Sequence, residues 1–211
     1  QNKDTGKRYS KLQDAVNEIG EGGSGTILLL NQTTNTSEPV SFLAGQNITF
    51  DTALDTATIQ AESDAPVLFN LNVAATVSFS DRISVYDSNE LADNTPIFVL
   101  NNAGAVLNMA TNSNGSVPSY GNAKCRTYSG GALFDAQAGT LNIAHANISS
   151  VESLNGAIFV GATTLNLNGT QISDCHAYNE GADAAGAVFV SAQGVLNFND
   201  ASISNCSAES D

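Results

Sequence analysis

Gly156-Ala157-Ile158-Phe159-Val160 opens a stretch that runs through Thr164-Leu165-Asn166-Leu167 to Ile172-Ser173-Asp174-Cys175. The same three elements return as Gly186-Ala187-Val188-Phe189-Val190, Val195-Leu196-Asn197-Phe198 and Ile203-Ser204-Asn205-Cys206. Upstream, Gly131-Ala132-Leu133-Phe134, Thr140-Leu141-Asn142-Ile143 and Ile148-Ser149-Ser150-Val151 form a third copy. Weaker copies open with Pro66-Val67-Leu68-Phe69 and Pro96-Ile97-Phe98-Val99, followed by Thr76-Val77-Ser78-Phe79 and Val106-Leu107-Asn108-Met109. Counted from these openings, successive copies lie 30, 35, 25 and 30 residues apart. An internal period of this length is the mark of a repeat architecture.

Each element is three to five residues long, alternates apolar with polar, and is bounded by Gly, Asn, Ser or Asp. That is the pattern of short strands. Three strands per copy are too few to close a blade or barrel, and one copy cannot bury its own apolar side chains. Stacked copies can, which predicts an all-β solenoid, a parallel β-helix. A leucine-rich repeat would need denser Leu and a helix in every copy; a sandwich is the other all-β alternative. Variable spacing fits stacked coils, because strands keep register while corners absorb insertions. The longest insertion spans 110–129, and a second spans 176–185.

The start of the chain differs. Leu12, Ala15, Val16 and Ile19 recur at helical spacing, with Ser10 as the expected N-cap and Gly20 as the stop. Residues 1–25 therefore read as a capping segment with a short helix that closes an end of apolar core and unpaired strand edge. Residues 26–211 read as coils, starting with the strand Thr26-Ile27-Leu28-Leu29-Leu30. No matching cap is visible at the other end, so further coils are expected after Asp211.

Composition narrows the function. Of 211 residues, only 7 are Lys or Arg against 21 Asp or Glu, a net charge of −14. Four of the seven (Lys3, Lys7, Arg8, Lys11) lie in the first eleven positions. Phosphate backbones and anionic lipid surfaces need clustered cations, so neither nucleic acid nor a membrane surface is an expected partner. No apolar run approaches the roughly 18 residues of a membrane helix. The three cysteines, Cys125, Cys175 and Cys206, form neither a disulfide framework nor a zinc motif.

Candidate residues follow from the columns that stacking creates. Asn108, Asn142, Asn166 and Asn197 share one position, either as outward polar residues or as a ladder in which each amide donates and accepts. Cys175 and Cys206 share another, with Val151 in the copy before, which implies inward thiols. Stacking would bring their Cα atoms near disulfide range, yet parallel Cβ vectors favour free thiols. His145 and His176 stand alone in the sequence. No serine–histidine–acid order, phosphate loop or paired-carboxylate spacing is evident, so no catalytic, cofactor or metal residue is assigned. The acidic clusters Asp87–Asp93 and Glu180–Asp183 read as solvated surface rather than calcium sites. Asn-x-Ser/Thr occurs at Asn31, Asn35, Asn47, Asn114, Asn147, Asn168 and Asn205, as acceptors for glycans or by composition. The expected ligand-binding surface is the long insertion, through Asn112, Asn114, Tyr120, Arg126 and Tyr128, because regular faces vary little and loops vary most.

The paired motifs resemble the FxxN and GGAI repeats of polymorphic outer membrane proteins, and adhesin-like surface proteins with pectin-lyase-like β-helices. Gly130-Gly131-Ala132-Leu133, Asn155-Gly156-Ala157-Ile158 and Ala185-Gly186-Ala187-Val188 carry the second motif; Ile172-Ser173-Asp174-Cys175 and Ile203-Ser204-Asn205-Cys206 carry the first, with Ile for Phe and Cys for Asn. The likeness covers residues 130–211, and the front resembles the entry module of surface β-helix proteins. It implies a right-handed parallel β-helix at the cell surface: a non-catalytic adhesin or binding stalk. Its partners would be a glycan or protein of a host or neighbouring cell, or a second copy end to end. The alternatives are a structural subunit of an extracellular filament, wall or matrix, and a polysaccharide lyase or hydrolase.

Overall fold

The computed structural model describes residues 1–36, 38–61, 68–87, 96–111, 117–121, 124–125, 132–178 and 185–209. Helix α1 (Leu12–Ile19) comes first. Strands β1 (Ser24–Leu29), β2 (Thr33–Thr36), β3 (Val40–Ser41), β4 (Asn47–Thr52), β5 (Ala57–Ala61), β6 (Phe69–Leu71), β7 (Thr76–Ser80) and β8 (Ile83–Asp87) follow. Next are β9 (Phe98–Thr111), β10 (Ser119–Gly121), β11 (Lys124–Cys125), β12 (Phe134–Ala144), β13 (Asn147–Ser149), β14 (Glu152–Ser153) and β15 (Ile158–Asn168). The chain continues with β16 (Gln171–Ser173), β17 (His176–Tyr178), β18 (Val188–Val190), β19 (Val195–Asn199), β20 (Ser202–Ser204) and β21 (Ser207–Glu209).

These strands form three parallel sheets, so the chain is all-β, with α1 as the one helix among the described residues. The first runs β1-β4-β7-β9-β12-β15-β18, with β19 also on β15 and β3-β6 leading onto β9. The second runs β2-β5-β8-β10-β13-β16-β20, and the third β11-β14-β17-β21. Each strand therefore pairs with the equivalent strand one repeat later. Leu107, Leu141, Leu165 and Leu196 are successive register partners, as are Ile148, Ile172 and Ile203. The first three leucines are fully buried, whereas Leu196 in the last turn is 36% exposed. Inside, Phe50 stacks on Phe79, and Phe69, Phe98 and Phe134 stack in series at 5.3 and 4.7 Å. Aromatic stacking of this kind adds about 0.5–1.5 kcal/mol per pair to the area buried.

The corners repeat as strictly as the strands. Ser150, Asp174 and Asn205 have φ of 58°, 54° and 52°, and each joins a second-sheet strand to a third-sheet strand. His145, Gly169 and Asp200 take φ of 49°, 62° and 49° between the first and second sheets. A left-handed non-glycine residue costs on the order of 1 kcal/mol, least for Asn and Asp. The ladder bonds on either side, His145 N to Asn168 O and Gly169 N to Asn199 O, hold these turns in place. This explains the Asn, Asp, Ser and Gly that bound each element, and makes His145 an exposed turn residue.

Several sequence expectations need correction. The first and second elements are not separate strands: they run together in β12 and β15, and the third strand of each late turn is a two- or three-residue piece not foreseen. The register of the opening motif differs by one residue, for Phe134 pairs with Ile158 and Phe159 with Asp135. Phe134 is thus inward, whereas Phe159 lies on the other face, half-buried and stacked on Phe189 at 5.6 Å. A one-residue slip in a strand reverses the face of every side chain. The 110–129 segment contains β10 and β11, and His176–Tyr178 is a strand rather than the start of an insertion. Finally, α1 is capped by Lys11 in extended conformation without a side-chain bond, not by Ser10. Gly20 ends the helix at φ 74° as expected. Leu12, Ala15 and Val16 bury one face of α1. Strand β1 begins at Ser24, two residues before the expected coil boundary.

Candidate functional site

Of the five residues expected to bind a ligand, Asn112, Asn114, Arg126 and Tyr128 lie outside the described residues, as do most of both acidic clusters. Tyr120 is described, and it is not at the surface. It is 1% exposed, edge-on to Phe98 and Phe134 at 6.4 and 6.0 Å. Burial pushes its phenol well above the ordinary range, against the Ala110 backbone, with Asp81 adding to the rise. Tyr120 sits on β10, which pairs with β8 and β13, so its role is to fill the interior. Alternation decides this: Ser119 and Gly121 flank it, and only position 120 carries an apolar body to the core.

Most of the connections that vary in length follow the last strand of a repeat, and one more, 112–118, links β9 of the first sheet to β10 of the second. Residues between β5 and β6, β8 and β9, β11 and β12, and β17 and β18 all lead from the last strand of one turn to the first sheet of the next. Between β14 and β15 the same connection is only four residues, 154–157. Insertions tolerated at an edge mark where a repeated scaffold can differ from turn to turn.

Beside that edge lies the outward face of the third sheet. Register places Lys124, Glu152, His176 and Ser207 in one column, and Tyr178 beside Glu209. The Ser207 hydroxyl oxygen is 2.6 Å from His176 Nδ1, and His176 Nε2 is 3.6 Å from Glu209 Oε1. The Tyr178 ring stands edge-on to the imidazole at 4.0 Å. The structure thus assembles a hydroxyl–imidazole–carboxylate group that the sequence did not show. The signal was present one residue past the cysteine column: Cys175-His176-Ala177-Tyr178 over Cys206-Ser207-Ala208-Glu209.

Such a group can in principle activate a serine. Two features argue against it here. The carboxylate lies beyond hydrogen-bond length, and both Ser207 and Glu209 are exposed. The Ser207 and His176 amides are also committed to the ladder, to Cys175 O at 3.0 Å and Val151 O at 2.8 Å. Neither is free to stabilise an oxyanion, which is the largest contribution in acyl transfer. What His176 and Ser207 do is join two adjacent strands of the third sheet through their side chains.

The asparagine column of the first sheet does the same with amides. Asn108 Nδ2 donates to Ser78 Oγ at 3.1 Å, Asn142 to Asn108 Oδ1 at 2.7 Å, Asn166 to Asn142 at 2.6 Å and Asn197 to Asn166 at 2.7 Å. At the opposite end of the molecule, a cleft of about 610 Å³ opens between the N-terminal segment and β1. Its floor includes Leu12, Ala15, Ile27 and Leu29, and Arg8, Ser10, Lys11 and Thr34 stand at its walls. Lys11 is already held by Glu38 at 3.1 Å. Comparison with protein-family models, with curated proteins and with solved structures finds no match for this chain.

Proposed function

We propose that the three sheets close into a right-handed parallel β-helix capped by α1, and that this rod is an extracellular, non-catalytic binding stalk or adhesin. The observation that carries the reading is the unbroken side-chain ladder from Ser78 to Asn197, each rung bonded to its own equivalent. A parallel strand–crossover–strand connection is right-handed in nearly all proteins, which supports the hand. The seven strands along the first sheet, at about 4.8 Å each, make a rod on the order of 35 Å long.

A ladder of this kind commits its polar groups to the stack and leaves recognition to the connections that vary. The ligand would be a glycan or protein of a host or neighbouring cell, met by Asn112 and Asn114, between β9 and β10, and by Arg126 and Tyr128, between β11 and β12. Few cations, low charge density and several Asn-x-Ser/Thr sites suit a protein outside the cell. The likeness to polymorphic outer membrane proteins and adhesin-like surface proteins, carried by the Gly-Ala-Ile/Val and Ile-Ser-x-Cys motifs, supports the same reading.

The test replaces 112–116 with a Gly-Ser segment of equal length and, separately, substitutes Arg126→Ala with Tyr128→Ala. Both variants leave β10 and buried Tyr120 in place. Glycan-array or cell-binding signal lost at an unchanged melting temperature supports the reading; full binding by both variants refutes it. Ordered filaments in electron microscopy with no ligand bound would favour the structural-subunit alternative. Turnover of pectin or uronans would favour the lyase or hydrolase.

A further inference from the structure

Cys175 and Cys206 are both free thiols, set one turn apart in the same interior column. Register fixes the residues on either side of each, Ser173 with Ser204 and His176 with Ser207. The two Cα atoms are therefore one strand spacing apart, about 4.8 Å, inside the 4.4–6.8 Å window for a disulfide. Each cysteine follows a left-handed residue, Asp174 or Asn205, so their Cβ bonds run side by side and a bond between them depends on one sulfur leaning toward the other.

The thiols are not equivalent. Cys175 is 1% exposed, and its sulfur contacts Ser173 O at 3.1 Å. Cys206 is half-buried, and its sulfur reaches both Ser204 O at 3.3 Å and Ile172 O of the turn below at 3.9 Å. The outer thiol thus leans down toward the inner one and is the one that solvent can reach.

We propose that Cys175 and Cys206 are a modification site that takes a low-molecular-weight disulfide as oxidant and becomes a cross-link between successive turns. The Cys206 thiolate attacks one sulfur of the oxidant, forming a mixed disulfide and releasing one equivalent of thiolate. The Cys175 sulfur, losing its proton to solvent, then displaces the second thiol from Cys206. Two protein thiols are oxidised, one external disulfide is reduced to two thiols, and the loop from 175 to 206 is closed.

Burial pushes the Cys175 thiol up to about 12, with the neighbouring Cys206 and Asp174 adding to the rise. The second step is accordingly the slower, and raising the pH accelerates it. The mixed disulfide on Cys206 is the transient species.

The experiment incubates the reduced protein with oxidised glutathione, alkylates what remains after unfolding, and maps peptides by mass spectrometry. Alkylatable thiols should fall from three to one, with a Cys175–Cys206 peptide and the intact mass lower by two hydrogen atoms. Cys125→Ser should give the same cross-link. Cys175→Ser should stop at a stable glutathione adduct on Cys206, which shows that Cys175 is the resolving thiol even if the cross-link strains the turn. A persistent adduct on Cys206 of the unsubstituted protein overturns the proposal. So does pairing with Cys125, or all three thiols remaining alkylatable.

Discussion

Asn142 stands in the middle of the amide ladder and makes two bonds in it. Its Nδ2 donates to Asn108 Oδ1 at 2.7 Å, and its Oδ1 accepts from Asn166 Nδ2 at 2.6 Å. Asn142→Ala removes both and leaves a half-buried acceptor and a half-buried donor without partners. At about 1 kcal/mol per net hydrogen bond, the cost is about 2 kcal/mol. Asn and Ala are both poor strand formers, so strand propensity barely enters. Asn197 is exposed and ends the ladder with one bond, so Asn197→Ala should cost about 0.5–1 kcal/mol. For a chain of this size the central variant should melt about 4–8 °C below the parent and the terminal one about 1–4 °C below. Urea unfolding followed by circular dichroism measures the difference, and a double-mutant cycle isolates the rung. Asn142 with Asn166 should couple, and Asn108 with Asn166, two rungs apart, should be additive to within about 0.5 kcal/mol. Equal costs at 142 and 197, or no coupling between adjacent rungs, would mean that the amides answer to solvent rather than to one another.

Phe98→Ala should be far more damaging, about 3–5 kcal/mol in urea unfolding, since it empties a fully buried site stacked on Phe69 and Phe134. Gly139→Ala should lose about 2–4 kcal/mol, because φ is 113° and an added Cβ would sit 2.5 Å from Ala105 O and 2.8 Å from Asn102 O. An unchanged melting temperature would contradict that backbone approach. Burial alone would raise Asp51, but bonds from the Ser80 hydroxyl, the Thr52 amide and Arg82, whose Nη2 lies 2.6 Å away, hold its carboxyl below the ordinary range. A depressed folded-state pKa gives stability that is complete above the unfolded value and is lost as the pH falls below about 4. Arg82→Ala should therefore cost about 1 kcal/mol at neutral pH and flatten the acid limb of the stability profile; an unchanged limb would count against the pair.

The parts of this structure that were legible in the sequence are those whose neighbours are copies of themselves. Leu141, Leu165 and Leu196 could be aligned because each inward residue must fit the one above and below it. Phe134 and Phe159 were misaligned because Gly-Ala-x-Phe satisfies the pattern whether the ring points in, as at 134, or out onto Phe189, as at 159. Strands β12 and β15 keep one register from Phe134–Ile158 to Ala144–Asn168, so the odd residue falls in the Gly-Ala opening before the strand, and no letter in the motif records it. The third sheet escaped because strands of two or three residues fall below the length at which alternation can be seen. His176 looked solitary for the same reason, since its partner Ser207 is next to it only once the register of two such strands is known.

Outward side chains are otherwise answerable to solvent or to a ligand, and neither leaves a period in the sequence. The asparagines are the exception: they lie off the apolar face and still repeat, because the partner each one recognises is the same residue one turn away. A column that repeats while facing away from the core therefore reports stacking, and a surface position that breaks the repeat is where selection by something outside the chain can act. On this molecule most of the breaks fall along the edge that leads into the first sheet, and one falls between β9 and β10. The ladder variants and the insertion variants should accordingly separate: the first lower stability and spare the proposed binding in whatever remains folded, and the second abolish it at full stability.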